Sequence, residues 1–135
     1  MADTVLNTTV FDGSKKLITH YNVVSDGDGS TTKIVDVSAL ATNNGKSCTK
    51  VRLNKVSFNV SVTAQVDALR MLWDATSDVV FLTMNGEMEY DYSSFGGIPN
   101  NEATNFTGDV NITLPACTAG DSATVVCEWI KVYES

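Results

Sequence analysis

The stretch KVRLNKVSFNVSV, residues 50–62, decides the fold class. From Val56 onward the alternation is strict: Val56, Phe58, Val60 and Val62 share one side, and Ser57, Asn59 and Ser61 take the other. Period two over seven residues marks a half-buried β-strand, because successive side chains of a strand point to opposite faces. Upstream, the apolar residues Val51 and Leu53 have odd parity. One extra residue near Asn54–Lys55 restores the register, which predicts a β-bulge there.

The same period recurs along the chain. FTGDVNITLP (106–115) sets Phe106, Val110, Ile112 and Leu114 against Thr107, Asp109, Asn111 and Thr113, with Gly108 as a candidate bulge. SATVVCEWIKVY (122–133) places Val125, Cys127 and Trp129 on one face. Further strands are expected at 17–24, 31–40, 68–73, 78–84 and 87–92. QVDALRMLW (65–73) also fits helical spacing, but its β-rich flanks and its odd set Leu69, Met71 and Trp73 favour a strand. Seven to eight strands with no helix between them predict an all-β protein. The expected fold is a single antiparallel β-sandwich over 1–135, jelly-roll-like, with 1–12 as an N-terminal arm or an edge strand.

The chain has 135 residues, 43% hydrophobic and 19% charged, with a formal net charge of −7. That balance suits a folded domain and disfavours nucleic-acid binding, since an acidic surface repels phosphate. No run approaches 18 apolar residues, so no membrane span is expected. The N-terminus lacks a basic start followed by an apolar run, so it does not read as a secretory signal. With three cysteines, no CxxC pair and no signal, a reducing cytoplasm is the natural setting; a Cys117–Cys127 pair stays open. The four Asn-x-Thr/Ser triplets, at Asn7, Asn59, Asn105 and Asn111, then reflect strand and loop composition rather than glycosylation.

SDGDGS (25–30) tests the chain for metal binding. Counted from Asp26 as an EF-hand loop, its position 6 is Thr31 and its position 12 is Val37, so the bend and the closing carboxylate are missing. It reads as a turn in which Gly27 and Gly29 supply positive φ and the aspartates accept local N–H groups. No metal ligand set, cofactor motif or catalytic constellation emerges. His20 is the one histidine and has no local nucleophile beside it. Cys48 lies between Lys46 and Lys50, whose charges favour a thiolate, yet it has no base. Glu87 and Glu89 are spaced like a glycosidase pair but, with Asp91, read as a solvated edge.

Two apolar sets stand apart from this pattern. Val5, Leu6, Val10 and Phe11 precede the first confident strand and form a candidate interface. Tyr90 and Tyr92, with Met88 and Phe95, form either core or a candidate adhesion platform.

Five blocks carry a family resemblance: DGSKKLITHYNVVSDGDGSTTKIVDVSAL, LRMLWDATSDVVFLTMNG, SFGGIPNN, FTGDVNITL and TAGDSATVVCEWIKV, in order across most of 12–132. The chain resembles small virion structural proteins of tailed bacteriophages. That resemblance implies a non-enzymatic capsid decoration or cement protein, made in the host bacterial cytoplasm and carried on the capsid surface of the virion. Its implied partners are the phage major capsid protein and further copies of itself, a trimer being favoured. The alternative is a tail or surface adhesion module for a host glycan or receptor.

Overall fold

Strands β2 (Lys16–Val24) and β9 (Ser122–Tyr133) pair antiparallel, and inside that pair the chain nests three more. β3 (Ser30–Val35) pairs β8 (Val110–Leu114), β4 (Cys48–Ser61) pairs β7 (Gly86–Asp91), and β5 (Leu69–Trp73) pairs β6 (Val79–Met84). An added strand, β1 (Thr4–Asp12), pairs β2. The computed structural model describes residues 3–64, 67–100 and 107–133. Among these the protein is all-β, with two antiparallel sheets ordered β1-β2-β9-β4-β7 and β3-β8-β5-β6.

Among the described residues nine strands replace the expected seven to eight, because Thr4–Asp12 forms an edge strand of its own sheet rather than a free arm. Met1 and Ala2 lie outside the described residues, as do Gln65, Val66, Asn105 and Phe106. The predicted bulge is present: the register of β4 against β9 shifts between Leu53 and Lys55. Val51 and Leu53 before it and Val56, Phe58 and Val60 after it are all buried.

Two strands are shorter than their sequence patterns suggest. β3 stops at Val35 because Asp36 accepts the Ser38 N–H and starts a 3-10 turn over Val37–Ala39. β8 begins only at Val110. Gly108, the expected bulge, lies ahead of the strand at φ 92°, and a Cβ there would come within 2.0 Å of the Thr49 carbonyl oxygen. Only a glycine fits that approach. Asp109, next in sequence, is buried and accepts from Lys33 Nζ (2.8 Å) and the Val37 N–H (2.9 Å).

SDGDGS carries the chain from one sheet to the other. Gly27 takes φ 106°, the Ser25 hydroxyl accepts the Gly27 N–H and Asp26 accepts the Asp28 N–H, as a turn requires. Gly29 serves a different purpose from the one expected. Its φ is ordinary, but a Cβ would stand 3.0 Å from the Leu114 oxygen and the Ala116 nitrogen.

The core lies between the sheets. Tyr21, Val23, Leu53, Phe58, Val125 and Trp129 meet Met71, Trp73, Ile112 and Leu114, all buried. Each such side chain contributes about 1.5–3 kcal/mol on leaving water. Trp129 Nε1 donates to Thr19 Oγ1 at 3.0 Å, and the Trp73 ring stacks on Phe81 at 3.8 Å. Among the described residues the cysteines are free, so Cys117 and Cys127 do not pair.

Candidate functional site

β1 is the most unusual element. It runs nine residues with every side chain exposed except the half-buried Asp12. Val5 and Leu6 are exposed, and Val10 and Phe11 keep 60% and 52% of their surface in solvent. The strand is nevertheless fixed at both ends. At its start, Asp3 Oδ1 accepts the Asp26 N–H at 3.1 Å. Burial pushes the Asp3 carboxyl up, but hydrogen bonds from Ser30 and the Asp26 amide outweigh it and hold the group below its usual value. Nearby Tyr21 is pushed up to about 12 by burial, with the Asp3 charge adding to the effect.

At its far end, Asp12 meets Lys131. The inward face of β9 runs Ala123, Val125, Cys127, Trp129 and then a lysine whose side chain is fully buried. Its Nζ donates to Asp12 Oδ1 (2.6 Å), the Gly13 carbonyl (2.9 Å) and the Ala41 carbonyl (2.9 Å). An ammonium has three donors, and all three are satisfied. Burial lowers this ammonium's proton affinity, but the bonds to Asp12 and Tyr133 prevail and hold it above the usual lysine value. Asp12 Oδ2 also accepts the Ala41 N–H at 2.8 Å. A lysine in phase with an apolar run gives no sign of this role in the sequence.

The strand register exposes a second feature. On the outer face of the five-stranded sheet, Thr4, Val24, Ser122 and Ser61 form one row across β1, β2, β9 and β4. Leu6, Asn22, Thr124 and Asn59 form the next, and Thr8, His20, Val126 and Ser57 the third. None of these residues is charged, in a chain of net charge −7. Charge returns on β7, where Glu87 and Glu89 extend the last two rows, and in the row Phe11, Ile18, Glu128, Lys55, Asp91. His20 is thus one member of a neutral outer face. Thr124 Oγ1 donates to Asn22 Oδ1 within it, at 2.7 Å.

The aromatic set sits on the opposite edge strand, β7. Phe58, Tyr90, Tyr92 and Phe95 follow one another with ring centroids 6.1, 6.0 and 6.1 Å apart. Phe58 is core, Tyr92 is half-buried, and Tyr90 (37%) and Phe95 (63%) are exposed. The expected row is therefore continuous from the core out to solvent. Glu87 and Glu89 are exposed on the other side of the same strand.

The cysteines offer no activated nucleophile. Cys48 is buried, and burial pushes its thiol up; the lysine charge that opposes this is that of Lys131, not of the expected Lys46 and Lys50, and Sγ donates to the Lys50 carbonyl at 3.3 Å. Burial pushes Cys127 up to about 12. A groove of about 410 Å³ beside Cys48 is lined by the hydroxyls of Ser38, Thr42, Ser47, Thr49 and Thr107 with Val37 and Leu40. Those groups supply no acid–base pair. Among the described residues no three His, Cys, Asp or Glu side chains converge as a metal site.

No family model matches the chain, and no curated protein matches it. Among solved structures, a cupin-domain protein of Bordetella pertussis is similar over 98% of this chain and 97% of its own, at 11% identity and a TM-score of 0.40. Together these comparisons correct the reading of the sequence blocks. The protein matched is described as a cupin domain, and none of the three comparisons returns a phage virion family. The virion resemblance is withdrawn. Capsid decoration, the adhesion alternative and the exclusion of enzymatic activity go with it. The physical reason is that the blocks are largely strand and turn chemistry. LWDATSDVV spans the β5–β6 turn, where Asp78 accepts the Ala75 N–H, and SFGGIPNN contains the 3-10 turn Ser93–Phe95. A likeness this distant brings no activity, ligand or cofactor to the chain.

Proposed function

We propose that this protein is a self-associating β-sandwich that works as a homo-oligomer, with its contact between copies on the β1 side of the five-stranded sheet. The observation that carries the reading is the segregation of charge. Two copies of net charge −7 repel each other, and approach is cheapest where neither presents a charge. The rows across β1, β2, β9 and β4 are such a surface, and they border the exposed Val10 and Phe11. Covering those side chains gains about 25 cal/mol per Å² of apolar surface removed from water. The acidic balance also argues against a nucleic-acid partner.

The reading includes the finer architecture: residues 1–135 as one jelly roll plus an added edge strand. Its support is the nesting β2:β9, β3:β8, β4:β7 and β5:β6, that of one long hairpin rolled into two sheets. Sedimentation velocity across a hundredfold concentration range tests the association. A species heavier than 14.5 kDa that grows with concentration is expected. A monomer throughout would defeat the proposal.

A further inference from the structure

The turn chemistry of SDGDGS leaves one cluster of oxygens unexplained. Asp3, just ahead of β1, brings a second carboxyl to Asp26: its Oδ1 accepts the Asp26 N–H at 3.1 Å, and the two side chains lie within hydrogen-bonding range. The Ser30 hydroxyl, at the start of β3, reaches the same carboxyl. Asp3 Oδ2 is buried and completes no hydrogen bond with any described residue. Nor does Tyr21 Oη, although Tyr21 is 1% exposed and its hydroxyl lies close enough to Asp3 to feel the charge. Buried polar atoms are normally paired, so two such oxygens at one carboxyl pair mark a place for a ligand. We propose that Asp3 and Asp26 bind a divalent cation, calcium by preference, with Ser30 Oγ and Tyr21 Oη as neutral donors.

The surroundings select the charge and the ion. The charges that reach nearby Cys117 are those of Asp121, Asp67 and Asp3, so the field at this end of the sandwich is negative and favours a cation. Asp121 is already engaged, accepting the Thr63 N–H (3.1 Å) and hydroxyl (2.8 Å), which leaves Asp3 and Asp26 as the adjacent pair. Oxygen donors without nitrogen or sulfur suit a hard cation rather than zinc. They come from separate segments: ahead of β1, in the turn, on β2 and on β3. Calcium's flexible shell tolerates such a set better than the strict octahedron of magnesium. Two carboxylates put the affinity at the weak end of calcium sites, with Kd about 10⁻⁴–10⁻³ M. This is not the EF-hand loop that the sequence excludes, since the second acid lies 23 residues upstream of Asp26, outside the turn. The ion clamps the start of β1 to the β2–β3 turn.

Thermal melting of EDTA-treated protein tests the site. Calcium at about 10 mM, compared with sodium chloride of equal ionic strength, should raise the melting temperature by several degrees, and magnesium should raise it less. Asp3→Asn and Asp26→Asn should each remove most of the shift, whereas Asp28→Asn, at an exposed acid of the same turn, should keep it. Terbium, a luminescent stand-in for calcium, adds a readout that stability alone does not move. Excitation of Tyr21 should sensitise terbium emission, calcium should compete it away, and Tyr21→Phe should remove most of it. An unchanged melting temperature without sensitised emission overturns the proposal. So does a shift that Asp28→Asn loses as fully as Asp3→Asn, since calcium would then only screen the acidic surface. Neither result depends on whether copies of the chain associate.

Discussion

β1 and β7 close the two edges of one sheet, and both are almost wholly exposed, yet they are built on opposite plans. β7 alternates acids with Met88 and Tyr90, so its outer face is charged. Its inner face continues the aromatic row that starts in the core at Phe58. β1 has no charge between its terminal anchors, and its apolar side chains cover no core. β7 is thus held along its length by side-chain packing on β4 and defended by carboxylates. β1 is held at its ends, by Asn7 Nδ2 donating to the Lys33 carbonyl, and along β2 by backbone pairing, and it carries no charged side chain between its anchors. A strand left open in this way is suited to an intermolecular role.

The largest test of that contrast is Phe58→Ala. Loss of a buried phenylalanine costs about 3–5 kcal/mol. Hydrogen exchange should accelerate in β7 far more than in β1; equal acceleration at both edges would break the contrast. Trp129→Ala, on the central strand, should cost a similar amount and loosen both. Next in size is Asp12→Ala, which leaves the Lys131 ammonium with carbonyl partners only. It should cost about 3 kcal/mol in urea unfolding. The matching change on β7, Asp91→Ala, removes an exposed acceptor of the Ser93 N–H and should leave the urea midpoint where it is in wild type.

A pH titration gives a smaller effect. Asp3 has a folded value below its unfolded one, so its stabilisation is complete above the unfolded value near 3.9 and is lost as pH falls through the folded value. The Asp26 amide should lose exchange protection in that acid window, and Asp3→Asn should remove the dependence. Smallest in stability is Glu87→Thr with Glu89→Thr, expected within about 0.5 kcal/mol of wild type. Its signature is in solution behaviour. With β7 stripped of two carboxylates, light scattering should show association beyond that of wild type.

Period-two alternation was enough to locate β2, β4, β5, β6, β7 and β9, and the parity switch at Asn54–Lys55 located the bulge, because both follow from which side of a strand meets the core. β1 was ambiguous for the same reason: TVLNTTVFD buries nothing, so it has no face to alternate. The neutral outer rows were invisible, since they are made by register between strands far apart in sequence, such as Ser57 beside Val126. Lys131 escaped notice because its partners, Asp12, Gly13 and Ala41, lie about ninety residues or more away. The candidate residues Val5, Leu6, Val10 and Phe11 stood out for being apolar without a pattern. That trait locates a surface but not its partner, and the phage reading failed there.

The nested pairing also has a consequence for synthesis. β9 lies between β2 and β4, so it is the strand that completes the five-stranded sheet, and it is the last of the nine to leave the ribosome. Until then β2 and β4 each expose an apolar face and an unpaired edge that the finished protein never shows. The β1–β2 and β5–β6 hairpins can form at once, whereas the other edge of β2 must wait for a partner about a hundred residues downstream. Folding should therefore be slow for the protein's size, on the order of milliseconds to seconds. Any chain truncated before Ser122 should be a substrate for chaperones and proteases rather than a smaller stable fold.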